Sequence, residues 1–512
     1  VYSILAEGHI KLVDLGTNTT KNLLALADVT DEHGAPLSFA SWRLSADMRH
    51  VLVKADVRKQ WRHSSHGNYY VHDLAAKTTR ALLPPTYPPA TAYAAWAPAG
   101  DALAYVHAND LYVVPTPDAP AIRVTAAGNA SLFHGVPDWV YEEEVFQSDF
   151  ALWWAPDAKA LAFLRLDETK VPEYAFPVYN PTNNASIFAP YPGETVMKYP
   201  KPGYDNPLVS VHIFDVAGFL AANKTAATAA PAAANFTAEL TWPGAQAPTD
   251  QVIQEVAWVG PATLIIKDVN RAATNGSVVL FDLAGPAVTR ATGAVVRALG
   301  VQDGGWIDAA QTVFPLPAAL APAGGGAAYL DIVPSSAGFN HLALFWPASA
   351  RDPLFLTNGS WEVTDRVAAV DTTRALVYFV AAAPSSFERH VYSVPLPSAA
   401  RPALAGEPVL FTSAADGGPA AGDVGYYSAD FSPAGGFALL NYQGPNVPWQ
   451  RVLSTRNSSA VDYVLTENRL LNQTLRQFEL PIVSRYTLEN EGFGQCIHPC
   501  ATCNHRRCLP QR

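Results

Sequence analysis

The chain has 512 residues, a net charge of −11, 49% apolar residues and only 15% charged ones. That balance excludes a polyanion-binding surface, which needs clustered Lys and Arg to displace counterions. It contains no run of about 18 apolar residues that would cross a membrane as a helix, and its 42 Pro and 33 Gly suit short strands and tight turns better than long helices.

In chain order, a partial strand unit at Ile4–Leu15 is followed by a recurring pattern. Phe39-Ala-Ser-Trp42 precedes the apolar run His50-Val-Leu-Val53, and Tyr93-Ala-Ala-Trp96 precedes Ala102-Leu-Ala-Tyr-Val106. Leu152-Trp-Trp154 precedes Ala160-Leu-Ala-Phe-Leu164, Val256-Ala-Trp258 precedes Leu264-Ile-Ile266, and Ala429-Asp-Phe431 precedes Phe437-Ala-Leu-Leu440. Each unit reads as a strand with an aromatic end, a Pro/Gly/Asp turn and a second strand. The aromatic markers at 42, 96, 154, 258 and 431 are separated by 54, 58, 104 and 173 residues, the last two close to double and triple the first. Fainter units at Ala327–Phe345 and Ala375–Val394 fill the gaps. A period in the fifties is a four-stranded blade that can bury its faces only against its neighbours. The pattern predicts an all-β, eight-bladed β-propeller of four-stranded antiparallel blades over residues 1–480, with the first blade incomplete. A stack of β-sandwiches would not share one period. The Ala-rich stretch Val209–Asp250 reads as an insertion, an exposed arm or loop.

Within this frame Asp138-Trp-Val-Tyr-Glu-Glu-Glu-Val145 stands out, with a short helix predicted over Val140–Phe146. Three adjacent carboxylates repel one another and resist desolvation, so they sit either on a wet turn or where a cation offsets the cost. Both readings are open from the residues alone.

Asn18, Asn129, Asn184, Asn223, Asn235, Asn275, Asn358, Asn457 and Asn472 each open an Asn-x-Ser/Thr triplet. Chance would supply roughly three, so the excess points to the secretory pathway: extracellular, cell-surface or vacuolar, with no membrane anchor in this stretch. The four cysteines, Cys496, Cys500, Cys503 and Cys508, all lie in a divergent tail at 495–512 with His498 and His505. Their spacing does not form a paired Cys-x-x-Cys framework, so the reading is exposed thiols, or sequence read past a splice boundary, with no metal site. No cofactor motif is present.

The strings Lys59-Gln-Trp-Arg-His-Ser64, Asp138-Trp-Val-Tyr-Glu-Glu-Glu-Val145 and Ala151-Leu-Trp-Trp-Ala-Pro156 resemble the propeller of the dipeptidyl peptidase IV family, in the prolyl oligopeptidase clan of serine peptidases. Leu103–Val113, Tyr199–Gly203, Thr357–Val363 and Tyr426–Ser428 continue the likeness in family order. The resemblance implies a propeller capping an α/β-hydrolase domain, with X-Pro or X-Ala dipeptides released from free N-termini. It assigns Glu143 and Glu144 to the substrate α-ammonium and Arg62 to a substrate carbonyl in the same pocket. Trp61 and Trp139 read as packing residues. The implied partners are peptides with a free amine and Pro or Ala second, with homodimers only where the hydrolase domain is present, and no nucleic acid.

The chemical half of such an enzyme needs a Gly-x-Ser-x-Gly elbow followed by Asp and His. No serine fits: Ser65 and Ser336 have a glycine two places on but none two places before. Residues 481–494 resemble the lead-in to the hydrolase domain, after which the likeness stops. The expectation is therefore a recognition propeller, inactive alone, with a non-catalytic accessory propeller of the same family as the alternative.

Overall fold

A computed structural model describes residues 2–180, 182, 189–225, 232–284, 292–300, 305–321, 326–397, 406–412, 425–456, 461–480, 482–490 and 494–502, the last two segments by backbone pairing only. Sheets follow one another as antiparallel meanders. A three-stranded sheet (Tyr2–Ala6, His9–Asp14, Thr19–Ala25) comes first. The second blade is Phe39–Leu44, His50–Lys59, Ser65–Asp73 and Thr78–Ala81, and the third is Thr91–Trp96, Leu103–His107, Asp110–Val114 and Ile122–Arg123. A single bridge, Gly67 to Thr91, links the third strand of one to the first strand of the other.

Four more four-stranded sheets begin at Gln251–Gly260, Phe314–Pro315, Ala369–Asp371 and Tyr426–Phe431, forming the fifth to eighth blades. Every aromatic marker of the repeat (Trp42, Trp96, Trp154, Trp258, Phe431) lies in the first strand of its blade or, for Trp154, in the second half of a divided first strand. Ala327–Phe345 and Ala375–Val394 instead cover the second and third strands of the sixth and seventh blades.

Neighbouring blades are fastened by side chains as well as by apolar packing. Trp42 donates to Ser3 Oγ at 3.2 Å, and Trp258 donates to the Trp153 carbonyl at 2.9 Å. One continuous buried cluster runs from Tyr93 through Phe163 to Phe281, across the third, fourth and fifth blades. Between the fifth and sixth, Lys267 Nζ meets Glu255 at 2.7 Å and Asp331 at 3.1 Å, while Arg297 meets Asp331 at 2.5 Å. Tyr463, in the last strand of the eighth blade, has its hydroxyl pKa raised by burial and then by Tyr2 and Asp14 of the first sheet. The two ends of the series therefore adjoin.

The fourth blade is irregular. Leu132–His134 and Leu152–Trp154 both pair with Ala160–Asp167, at Arg165–Asp167 and Leu161–Phe163 respectively, as one strand interrupted by a long excursion. Its neck is closed by Gly135 N to Leu164 O, Leu164 N to Ala151 O and Ala151 N to Gly135 O, each 2.9 Å. Gly135 has φ +77°, and a Cβ there would meet Leu152 and Val106 at 3.3 Å, so only glycine suits the neck.

The structure corrects the predicted insertion at Val209–Asp250. Leu208–Asp215 is a full blade strand, in register from Ala160–Asp215 to Asp167–Leu208. Val216–Thr225 is a helix whose Phe219 is buried against Phe214 and Phe236. Alanine richness suggested low complexity, but the alternating Val209, Val211 and Ile213 carry the strand. What leaves the blade is an earlier hairpin, Glu173–Val178 with Gly193–Lys198, forming its own two-stranded sheet. At the other end, Ile482–Asn490 pairs with Gly494–Thr502, so the start of the cysteine tail folds back along the lead-in segment. Cys503 and Cys508 lie outside the described residues. No helix among the described residues is long and apolar enough to cross a membrane.

Candidate functional site

The excursion from the fourth blade carries the glutamate triplet. Asp138, 1% exposed, caps its start: its carboxylate accepts Val140 N at 3.1 Å and Tyr141 N at 3.2 Å, and its carbonyl accepts Glu142 N at 2.9 Å. Tyr141–Phe146 then form a single π-helical turn, closed by Gln147 at φ 51°. Tyr141 accepts Ile253 N of the fifth blade at 3.1 Å, and Phe146 packs edge-on against Trp153. Helical turns place residues four apart on one side, so burying Tyr141, Val145 and Phe146 carries Glu142 inward and leaves Glu143 and Glu144 facing out.

The three carboxylates therefore differ. Glu142 is fully buried, and its Oε1 accepts His63 N at 2.7 Å and Ser64 N at 2.9 Å, while Oε2 has no partner. Glu143, 19% exposed at its side chain, receives Arg62 Nε at 2.6 Å. Glu144 is exposed, with no ion pair or hydrogen bond to its carboxylate among the described residues.

Arg62 lies on the hairpin loop between His50–Lys59 and Ser65–Asp73 of the second blade. Gln60 N donates to Ser64 O at 3.1 Å and Lys59 Nζ to Arg62 O at 2.6 Å, which curl the loop. The structure brings together Arg62 and Glu143, and Glu144, the next residue of the same turn, is exposed. Trp139 packs with its ring tilted against Tyr199, centroids 4.8 Å apart, beyond the hairpin that leaves the fourth blade, and Trp61 is half-buried.

Two contributors escaped the sequence reading. Glu142 was given no role beside Glu143 and Glu144, and only the direction of the helix makes it the strut that clamps the Arg62 loop. Glu168, 5% exposed, is a second buried carboxyl, near enough to the capping Asp138 to feel its charge. Burial pushes Asp138 up to about 7, with the Glu142 charge adding to it against three backbone hydrogen bonds. Burial, then the charge of Asp138, pushes Glu168 up to about 8. A hydrophobic position for Glu168 in the strand-end pattern was the available signal.

Of the glycosylation candidates, Asn18, Asn129, Asn223, Asn235, Asn275 and Asn358 are exposed and Asn472 is half-buried in the helix Arg469–Leu475. Asn184 and Asn457 lie outside the described residues.

A family model described as the dipeptidyl peptidase IV N-terminal region matches residues 45–449. Proteins named "Probable dipeptidyl-aminopeptidase B" from Coccidioides posadasii and Chaetomium globosum are 34% and 37% identical over 88% of this chain, covering 46% and 45% of their own lengths. The chain thus spans about half the length of these relatives. Among solved structures, Porphyromonas gingivalis dipeptidyl peptidase 4 superposes with a TM-score of 0.74 at 21% identity, over 97% of this chain and 62% of that one. With blades, interrupted strand and acidic turn in place, the chain belongs to the dipeptidyl peptidase IV family and carries its N-terminal propeller region.

Proposed function

We propose that this propeller recognises the free N-terminus of peptides for a dipeptidyl-peptidase IV-like serine exopeptidase. Glu143 and Glu144 take the α-ammonium, and Arg62 takes a backbone carbonyl of the same substrate. The observation that carries this reading is the outward pair of glutamates on a rigidly capped turn, with one of them already holding a cation, Arg62, at 2.6 Å. An ammonium brought to Glu144 and the free oxygen of Glu143 makes short charge-assisted hydrogen bonds, and Arg62 relieves the repulsion between the two carboxylates. A fixed grip on the amine also sets how much peptide fits beyond it, which is how charge recognition becomes dipeptide counting. In the full-length enzyme the reaction is release of N-terminal X-Pro or X-Ala dipeptides. This stretch, without a Gly-x-Ser-x-Gly elbow, binds without cleaving. Exposed Asn-x-Ser/Thr triplets support passage through the secretory pathway.

The test is calorimetric titration with Gly-Pro-Gly and with its N-acetylated form, on the wild-type chain and on Glu143→Gln. Binding should be lost on acetylation and weakened roughly tenfold or more in the variant, as expected when a charged partner is removed from a paired site. Equal affinity across all arms removes the amine-grip reading, and turnover of a Gly-Pro chromogenic amide by this chain removes the claim that it lacks a nucleophile.

A further inference from the structure

A second charged site lies next to the amine grip. A cavity of about 260 Å³ opens between the second and third blades, lined by Trp42, Arg43, Lys54, Ser65, Tyr69 and Asp149 among others. Lys54 sits at its closed side, 8% exposed, with Nζ donating to Ser65 O at 2.7 Å and Ser65 Oγ at 2.9 Å, 5.3 Å above the Tyr69 ring. Arg43, exposed on the cavity side, donates to Tyr93 Oη at 2.9 Å. An ammonium has three protons and a guanidinium five. Both cations therefore retain donors, and among the described residues neither has a carboxylate in ion-pair contact. The remaining charge is Asp149, near both cations but touching neither, its carboxyl pKa raised by burial and lowered in turn by Lys54, Arg43 and His63. Burial also lowers Lys54 to about 8, opposed by Asp149 and reinforced by Arg43 and Lys59.

A nearly buried ammonium without a contacting anion is costly, and the cost falls when a carboxylate arrives. Two cations against one carboxylate leave the cavity one negative charge short. Its position ties it to the grip, because Ser65 is the third residue after Arg62 and Asp149 the fifth after Glu144. Both elements that build the amine site continue into the cavity wall.

We propose that this cavity is a carboxylate subsite: a peptide held by its amine at Glu143 and Glu144 places an acidic first side chain between Arg43 and Lys54. This rests on the amine-grip reading and adds a preference for Asp or Glu at the first position. A basic first residue meets two cations there, and a neutral one leaves their donors unused.

The experiment titrates Glu-Pro-Gly, the isosteric Gln-Pro-Gly and Gly-Pro-Gly into the wild-type chain, Lys54→Met and Arg43→Gln, with glutarate added to Gly-Pro-Gly as a separate arm. The expected result is that Glu-Pro-Gly binds about fivefold to tenfold tighter than Gln-Pro-Gly, the scale of one partly screened ion pair. In Arg43→Gln, compared on protein whose urea midpoint matches that of the wild-type chain, the two affinities should converge. Equal wild-type affinities for the Glu and Gln peptides, with Gly-Pro-Gly still bound, overturn the subsite and leave the amine grip standing. Glutarate binding to Gly-Pro-Gly-loaded chain without a Glu-over-Gln preference makes the cavity a site for free carboxylates and also overturns the proposal. No binding of any peptide overturns both readings.

Discussion

Replacing Glu142 with glutamine tests whether the buried glutamate acts through the loop it clamps. The native carboxylate accepts His63 N and Ser64 N on one oxygen, at 2.7 and 2.9 Å. Hydrogen bonds to a charged acceptor contribute about 1.5–3 kcal/mol each. Two therefore supply a gross ~3–6 kcal/mol. Against this stand the burial of an ionised group, the unpartnered Oε2 and repulsion from Asp138. In Glu142→Gln the amide oxygen still accepts both bonds at neutral strength, and the NH₂ takes the place of an oxygen that had no partner. Losing charge assistance while shedding a buried charge should leave a net destabilisation of about 1–2 kcal/mol, measured by urea unfolding followed through tryptophan fluorescence. The larger effect is local. With the loop held less firmly, Arg62 no longer presents its guanidinium to Glu143, and affinity for Gly-Pro-Gly should fall about tenfold. The deciding comparison is a double-mutant cycle with Arg62→Ala. If Glu142 acts by positioning Arg62, its effect on binding shrinks towards none once Arg62 is gone. An equal loss of affinity in both backgrounds would refute the strut, as would unchanged binding in Glu142→Gln alone.

Two further outcomes follow from buried charge. Lys267→Met removes the cation between Glu255 and Asp331 at the junction of the fifth and sixth blades, leaving one guanidinium for two buried carboxylates. Unfolding free energy should fall by about 3–5 kcal/mol, and an unchanged urea midpoint would show that the junction relaxes or admits water. The buried carboxyls of Asp138 and Glu168 set a pH dependence whose sign is fixed. Both carboxyls are raised in the fold, to about 7 and about 8, so the native state holds protons that the unfolded chain has released. Stability from these two groups is full below the unfolded carboxyl range and is lost as pH rises through 7 and 8. Melting temperature should therefore rise by roughly a few degrees between pH 8 and pH 5.5, and Glu168→Gln should flatten that slope. An identical slope in the variant would assign the pH response elsewhere.

Much of this molecule is written locally. The aromatic-turn-apolar units announce blades because a four-stranded sheet must cover both faces, and a spacing in the fifties leaves room for one sheet and its turns. The positions of Trp42, Trp96, Trp154, Trp258 and Phe431 in the first strands follow from that repeat. Arg62, Glu143 and Glu144 were named as candidates through family strings, not through spacing, since Arg62 and Glu143 stand 81 positions apart in the chain. Ala-rich composition obscured Leu208–Asp215, where strand alternation within a low-complexity background proved the better guide.

The sequence by itself determined the repeat, the acidic string and the absence of a serine elbow, because each is a property of neighbours along the chain. Only the tertiary structure decided that the three glutamates have three environments. The fold set the direction of one π-helical turn by capping it with Asp138 and burying Tyr141, Val145 and Phe146. Glu142 was thereby sent inward to the Arg62 loop, and Glu143 and Glu144 outward. It likewise decided that Lys54, Arg43 and Asp149, scattered over three blade elements, converge on one cavity. Partnership between distant charges is set by which strands become neighbours in space, and adjacent letters in the sequence do not encode it.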